Sequence, residues 1–299
     1  MSIKDKARKM LPDIAVSSLQ RVREKVKQAK NDSLPPLTER DLTRILTDEL
    51  GVRSGDTVFV HSSVDQLRTD FPFYRLLPLL QQIVGPQGTI LFPTYPQSAS
   101  FEFLSRGEIF DVRKSPSYTG ILTEFARRQR GARRSLHPTK SVCAIGRNAH
   151  GLTATHQLSP YPYDACSPYK KITEHDGKLI GLGVTTKNLS FVHCVDDALK
   201  ESFPVRPYHE RLFEAKCVNY EGEVEIVRTY AHDMRKMNHN IPRFMKKHIP
   251  ADVCQDLKLQ GRPFFRADAG RLFALMTELA QEGITIYPRA AYAKAKRGD

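Results

Sequence analysis

The chain has no tryptophan, and its five cysteines never fall in a CxxC spacing. An odd, dispersed set of thiols argues against a disulfide framework and against a structural zinc site. No run of about 18 apolar residues occurs, so no transmembrane helix is expected. The N-terminus lacks the apolar core of a secretory signal, which makes a cytoplasmic location the expectation. Acidic residues are in short supply: 33 Asp and Glu stand against 46 Lys and Arg, a formal net charge of +13. Such a balance favours anionic partners such as CoA phosphates, nucleotide sugars, acidic glycans, nucleic acid or a membrane surface. Several signatures are also missing. There is no GxxxxGK(S/T), no GxGxxG after a strand, no HExxH and no GxSxG. Nucleotide hydrolysis, Rossmann dehydrogenation, zinc proteolysis and α/β-hydrolase chemistry lose support accordingly.

What is present is a globular composition, 40% hydrophobic, on a chain of 299 residues, long enough for a sizeable core. Residues 1–36 read as a separate unit. Nine Lys and Arg between Lys4 and Lys30 accompany apolar residues near helical spacing, so a basic amphipathic helix is expected. It suits packing on the body or peripheral contact with an anionic membrane. Leu34-Pro35-Pro36-Leu37 is a linker. Thr38-Glu39-Arg40-Asp41 then forms a capping box that opens a helix through Leu42, Ile45 and Leu46, closed by Gly51.

From residue 37 to 299 strands and helices alternate. Strands are expected at Thr57–His61, Thr89–Pro93, Ser141–Gly146 and Lys178–Gly183. Helices are expected at Phe71–Val84, Thr119–Arg130, Phe191–Phe203 and Asp268–Glu282. Leu212–Tyr220 and Glu223–Tyr230 flank Glu221-Gly222 as an antiparallel hairpin. The pattern predicts an α/β fold in three layers, a mixed sheet flanked by helices, with the hairpin as an insertion and the basic helix at the N-terminus.

Four segments carry unusual chemistry. Val60-His61-Ser62-Ser63 ends a strand in two hydroxyls, suited to phosphate or to an ordinary helix cap. Arg134-Ser135-Leu136-His137-Pro138-Thr139-Lys140-Ser141-Val142 concentrates donors and positive charge in one loop, either an anion site or a solvated basic face. Cys166-Ser167-Pro168-Tyr169 is a turn. In the last, a polar loop after Gly183 leads into a helix whose first turn holds His193. Asp196 and Asp197 lie three and four residues on, and therefore share its face. A carboxylate beside an imidazole fixes its tautomer and stabilises its protonated form, as a general base near neutral pH requires. The same residues also suit a plain helix start, with acids complementing the dipole.

Taken in order, these segments resemble the aminoglycoside 3-N-acetyltransferase family, also called the antibiotic N-acetyltransferase family. Gly51–Ser63 is similar to its GVRxGDxVxVHSS opening, and Gly85–Thr89 with Pro93-Thr94 to its GPxGTLxxPT. Thr119–Glu124 resembles its TGxLTE helix, and Arg134–Val142 its RSxHPxxSV loop. Lys178–Val184 followed by His193 resembles its strand, loop and histidine. The resemblance covers roughly Leu37 to Gly283. It implies acetyl-CoA as donor, an amine of an amino sugar as acceptor, and no metal. It also implies that His193 deprotonates the amine for direct attack, supported by the acid three residues later. That acid is usually Glu; here it is Asp196, with Asp197 as the substitute. CoA is expected against Ser62, Ser63, His137, Thr139, Ser141 and Val142.

The net charge then bears on the acceptor. A chain at +13 is poorly matched to polycationic drugs, so the expected acceptor is anionic or nucleotide-linked, as in surface-glycan biosynthesis. The alternative is an aminoglycoside, as in antibiotic resistance. A reading of another class is a non-catalytic binding module with a basic face toward membrane or nucleic acid. No aromatic–basic interleaving supports nucleic acid, and the sequence leaves room for an oligomer.

Overall fold

A computed structural model describes residues 33–96, 99–237 and 239–287. The expected basic helix and the basic tail lie outside the described residues. Among the described residues ten strands form two sheets. β1 (Thr57–Ser62), β2 (Thr89–Pro93), β4 (Arg133–Arg134), β5 (Val142–Gly146), β6 (Lys178–Leu182), β9 (Cys254–Leu259) and β10 (Arg262–Asp268) make the larger one. Its order is β4-β5-β2-β1-β6-β10-β9. β2, β1 and β6 run parallel at its centre, and the remaining pairings are antiparallel. β3 (Phe110–Asp111), β7 (Tyr208–Val218) and β8 (Val224–His232) make the smaller sheet.

The central strands β1, β2 and β6 are buried on both faces, and the pleat sorts their side chains into two cores. Val58, Val60, Ile90, Phe92, Ile180 and Leu182 face one core. It also contains α1 (Glu39–Arg44), α2 (Leu76–Val84) and α3 (Ile121–Arg127). Phe59, Leu91, Leu179 and Phe265 face the other, with α4 (His193–Leu199), α5 (Ile241–His248) and α6 (Ala269–Gln281). The result is the three-layer mixed arrangement that the alternation of elements predicts. A third apolar cluster joins β7 and β8 to Phe103, Leu104 and Leu136, so the hairpin has a small core of its own.

Local differences from the expected elements have local causes. The capping box is present, with Asp41 N–H donating to Thr38 Oγ1 at 3.0 Å. The helix after it widens to a π-turn over Ile45–Glu49, where Leu50 N–H reaches back to the Ile45 carbonyl. The third helix begins at Ile121 rather than Thr119, because Gly120 has φ of 125° and cannot be helical. The expected helix Phe191–Phe203 is α-helical only over His193–Leu199, with 3-10 turns on either side. The first hairpin strand begins earlier than expected, at Tyr208, and ends earlier, at Val218, while β8 begins at Val224 and continues past the expected end to His232. β9, β10 and α5 are additions to the expected elements. The β9–β10 turn places Gln260 and Gly261 at φ of 45° and 81°, as a two-residue hairpin loop requires.

Gly181 in β6 lies opposite both His61 and Phe265. A Cβ there would stand 2.1 Å from a ring carbon of Phe265. Gly181→Ala must push that ring aside, and overpacking of this kind costs about 1–3 kcal/mol. Urea unfolding of the variant is expected to show a loss in that range. Unchanged stability would mean that the ring relocates freely.

Candidate active site

Open parallel sheets bind ligands outside the carboxyl ends of their strands, where neighbouring connections diverge. β1 has β2 on one side and β6 on the other, and a cleft of about 650 Å³ opens at their carboxyl ends. Its walls come from the β1 end (His61, Ser62, Ser63), the β2 end (Pro93, Tyr95), the loop and start of α3 (Tyr118–Ile121) and the loop before α4 (Asn188, Ser190). Gly183 closes this corner with φ of 73°, and a Cβ there would lie 2.5 Å from the Ser63 carbonyl oxygen. Among the described residues lining the cleft, Asp65 is the only charged one. Tyr118 and Ile121, both more than half exposed, put apolar surface at its mouth.

The loop through Ser190 runs directly into α4, so His193 follows one turn behind the cleft wall. Its Nδ1 lies 3.0 Å from Asp196 Oδ2, and Tyr287 Oη donates to the same oxygen at 2.7 Å. A carboxylate oxygen only accepts hydrogen bonds, which places the imidazole proton on Nδ1 and the lone pair on Nε2. Nε2 has no hydrogen-bond partner among the described residues. Tyr163, His232 and His239 pack around the ring, with centroids 5.4, 5.2 and 5.6 Å away.

Asp197 is engaged elsewhere. Its oxygens accept from Tyr163 N–H and Tyr208 Oη–H, each at 2.7 Å, and burial raises its carboxyl well above the usual range. Of the two candidate acids, Asp196 is the one in contact with His193. Tyr95 ties this group to the cleft: its hydroxyl lies 3.4 Å from that of Tyr163 and hydrogen-bonds that of Tyr169.

The six residues expected against CoA fall into two sets. Ser62 and Ser63 line the cleft. His137, Thr139, Ser141 and Val142 are buried and are not among its lining residues. His137 Nδ1 accepts from the backbone N–H groups of Thr139 (3.3 Å) and Lys140 (3.0 Å). Its Nε2 faces Thr229 Oγ1 of β8 at 3.2 Å. Ser141 Oγ–H donates to the Thr94 carbonyl at 2.6 Å and accepts from Arg134 Nε at 3.1 Å. Val142 opens β5 within the core. These contacts give the loop a structural task, fastening β5 to β2 and to the hairpin. Lys140 projects from it, with Nζ 4.7 Å from the centroid of the Tyr95 ring, and burial pulls its ammonium down to about 8.

Several site residues escaped the sequence reading. Tyr95 and Tyr118 had only their place after strand ends or before a glycine to mark them. Tyr287 lies 91 residues from its partner Asp196, too far for any spacing rule. His232 was outside the expected hairpin limits. Cys194, beside His193, is fully buried with its thiol held well above the ordinary value, which leaves no thiolate for nucleophilic chemistry. Among the described residues no group of three or more His, Cys, Asp or Glu is placed to hold a metal ion, and no helix is long and apolar enough to cross a membrane.

Comparison with known proteins bears on this geometry. The family model for aminoglycoside 3-N-acetyltransferase matches residues 59–281. Aminoglycoside N(3)-acetyltransferase III of Salmonella sp is 29% identical over 173 residues, 53% of this chain. Aminoglycoside N(3)-acetyltransferase VII of Streptomyces paromomycinus is 29% identical over 174 residues, again 53% of this chain. The chain spans 60% and 59% of those two relatives' own lengths. A solved structure described as AAC-IIIb binary with CoASH has the same fold. Its TM-score is 0.69 at 22% identity, covering 85% of this chain and all of that one. Another, described as AAC-VIa bound to Sisomicin, gives 0.69 at 23%, covering 84% and 99%. The family-model match takes in the cleft, the His193–Asp196 pair and all three central strands from Phe59 on, and the chain belongs to the aminoglycoside 3-N-acetyltransferase family.

Proposed function

We propose that the chain transfers an acetyl group from acetyl-CoA to an amine of an aminoglycoside, with His193 as general base. The observation that carries this reading is the His193–Asp196 pair, its Nε2 lone pair without a partner, one turn from the cleft wall. In the reaction His193 Nε2 takes the proton from the acceptor amine. The neutral amine nitrogen attacks the thioester carbonyl carbon, and the C–S bond breaks as the sulfur of CoA leaves with the electron pair and takes up the proton held on His193. Asp196 stabilises the imidazolium that forms, and Tyr287 holds Asp196 in place. The burial of Cys194 favours direct attack over an acyl-enzyme. We place acetyl-CoA in the cleft, with Ser62 and Ser63 against its phosphates or pantetheine and Tyr118 and Ile121 against its apolar parts.

On the acceptor, net charge pointed to an anionic or nucleotide-linked amino sugar. The names of the relatives favour the aminoglycoside alternative instead. The charge argument is weakened because +13 belongs to the whole chain, whereas among the described residues the charged one lining the cleft is an acid, Asp65. An acetyl-CoA turnover screen over aminoglycosides, simple amino sugars and nucleotide-linked amino sugars tests this. Turnover of aminoglycosides is the expected result, and turnover confined to nucleotide-linked acceptors would overturn it.

Lys140 bears on the same point. Its ammonium lies beside the Tyr95 wall and has no carboxylate within ion-pair distance among the described residues. A positive charge there opposes a polycationic acceptor. Lys140→Met is expected to raise kcat/KM for aminoglycosides severalfold, measured at low ionic strength, with the gain shrinking as salt is added. A loss of activity would give the lysine a positive role.

A further inference from the structure

Acyl transfer fixes where the thioester must lie. The amine that loses its proton to His193 Nε2 also bonds to the carbonyl carbon, so that carbon stands two contacts of about 3 Å from Nε2. Ser190 and Tyr95 tie the cleft wall to His193. Ser190 precedes it in the short turn that leads into α4. Tyr95 reaches it through Tyr163: their hydroxyls are 3.4 Å apart, and the Tyr163 ring centroid lies 5.4 Å from that of His193. The acyl end of a donor in the cleft therefore belongs beside Tyr95 and Ser190, with the rest of the donor toward the open mouth at Tyr118 and Ile121. Tyr95 spans the boundary between cleft and core. It is half-buried on the cleft wall, while its hydroxyl ends between Tyr163 and Tyr169, both fully buried. It hydrogen-bonds Tyr169, which stacks on Phe59 of β1 with centroids 4.9 Å apart, and the Lys140 ammonium sits over its ring. Burial raises the Tyr95 phenol, so it stays neutral and its hydroxyl stays in these contacts. A ring held at its tip and against a packed core does not swing aside freely.

We propose that Tyr95 sets the acyl length of the donor: its ring is the end wall against which the acetyl methyl packs, and it keeps longer acyl groups out of the reactive position. The inference deepens the acetyl-transfer reading above and rests on it. A two-carbon acyl group brings its carbonyl to the base with only a methyl to place against the ring. Each further methylene must either displace the ring and break its hydroxyl contacts, or draw the carbonyl carbon back from His193. Misplacement of the reacting carbon by an ångström is enough to cost most of the rate. Behind the ring lies the apolar core that contains Tyr163, Tyr169, Phe59 and Phe191, and Tyr95 packs against it. Removing the ring joins the space it fills to the cleft and gives a longer chain somewhere to go.

Donor preference tests this, measured as kcat/KM for acetyl-, propionyl- and butyryl-CoA with the acceptor that the turnover screen identifies. Native protein is expected to use propionyl-CoA about 10- to 200-fold less well than acetyl-CoA, the worth of one methylene in a fitted pocket, and butyryl-CoA less well again. In Tyr95→Ala the ratio of butyryl to acetyl use should rise by about 10-fold or more. The ratio is the informative quantity, because a purely structural loss lowers all three donors alike. Tyr95→Phe keeps the ring and its packing, and should stay closer to the native order than the alanine variant does. Tyr95→Leu, which leaves a smaller gap in the core, replaces the alanine variant if that one does not fold. Native protein that uses butyryl-CoA as well as acetyl-CoA overturns the proposal without any variant. So does a folded Tyr95→Ala or Tyr95→Leu with the native preference, and so does a Tyr95→Phe as permissive as the alanine variant. No CoASH release from any of the three donors by native protein would instead remove the acetyl-transfer reading, and this inference with it.

Discussion

Replacing His193 by alanine is expected to lower kcat for acetyl transfer by about 10²- to 10⁴-fold, the usual contribution of a positioned general base. The acceptor amine attacks in its neutral form, and its nitrogen must give up one proton as the N–C bond forms. His193 Nε2 is the lone pair available for the task one turn behind the cleft wall, because Nδ1 is committed to Asp196. Other imidazoles nearby cannot replace it. Burial holds His232 well below its ordinary value, and Lys140 and His193 itself lower it further. Burial also lowers His239. The alanine side chain leaves space among Tyr163, His232 and His239, so CoASH affinity and the unfolding midpoint must be followed beside kcat. The base assignment predicts a fall in kcat with CoASH binding retained, and full activity in the variant would remove it.

Asp196→Asn is expected to cost about 10³-fold in kcat, because the amide keeps the shape of the carboxylate but not its charge. His193 Nδ1–H and Tyr287 Oη–H can both still donate to the amide oxygen, so orientation survives in part. What is lost is the anion that stabilises the imidazolium. Asp197→Asn provides the contrast. Asp197 accepts from Tyr163 N–H and Tyr208 Oη–H and makes no contact with His193, so its replacement should act on the unfolding midpoint rather than on kcat. Steady-state kinetics and thermal unfolding of the two variants separate these effects. The opposite pattern, with Asp197→Asn crippling kcat and Asp196→Asn mild, would exchange the roles of the two acids.

The core strands were legible because they are continuous apolar runs buried on both faces, and Thr89–Pro93 begins and ends where expected. His193 was legible as a candidate from the polar loop before it and the acids after it. The choice between Asp196 and Asp197 was not, since residues three and four positions on share one helix face. Packing decides it, by drawing Asp197 toward Tyr163 and Tyr208. β9 was missed because it lies at the sheet edge, where polar residues alternate with apolar ones and no apolar run forms. Gln260-Gly261 was the signal that could have revealed the hairpin. The loop from Arg134 to Val142 looked like an anion site by its composition. Its donors are instead largely taken up in holding β5, β2 and β8 together, a use that composition cannot distinguish from ligand binding.

The proposed reaction is direct acetyl transfer from acetyl-CoA to an aminoglycoside amine in one complex. The most direct test follows CoASH release from acetyl-CoA, with and without an aminoglycoside, together with the mass of the acceptor. The account predicts no release beyond background hydrolysis without acceptor, and one acetylated amine for each CoASH released when it is present. A burst of CoASH before acceptor is added would contradict direct attack, and no acceptor-dependent release would contradict the function itself.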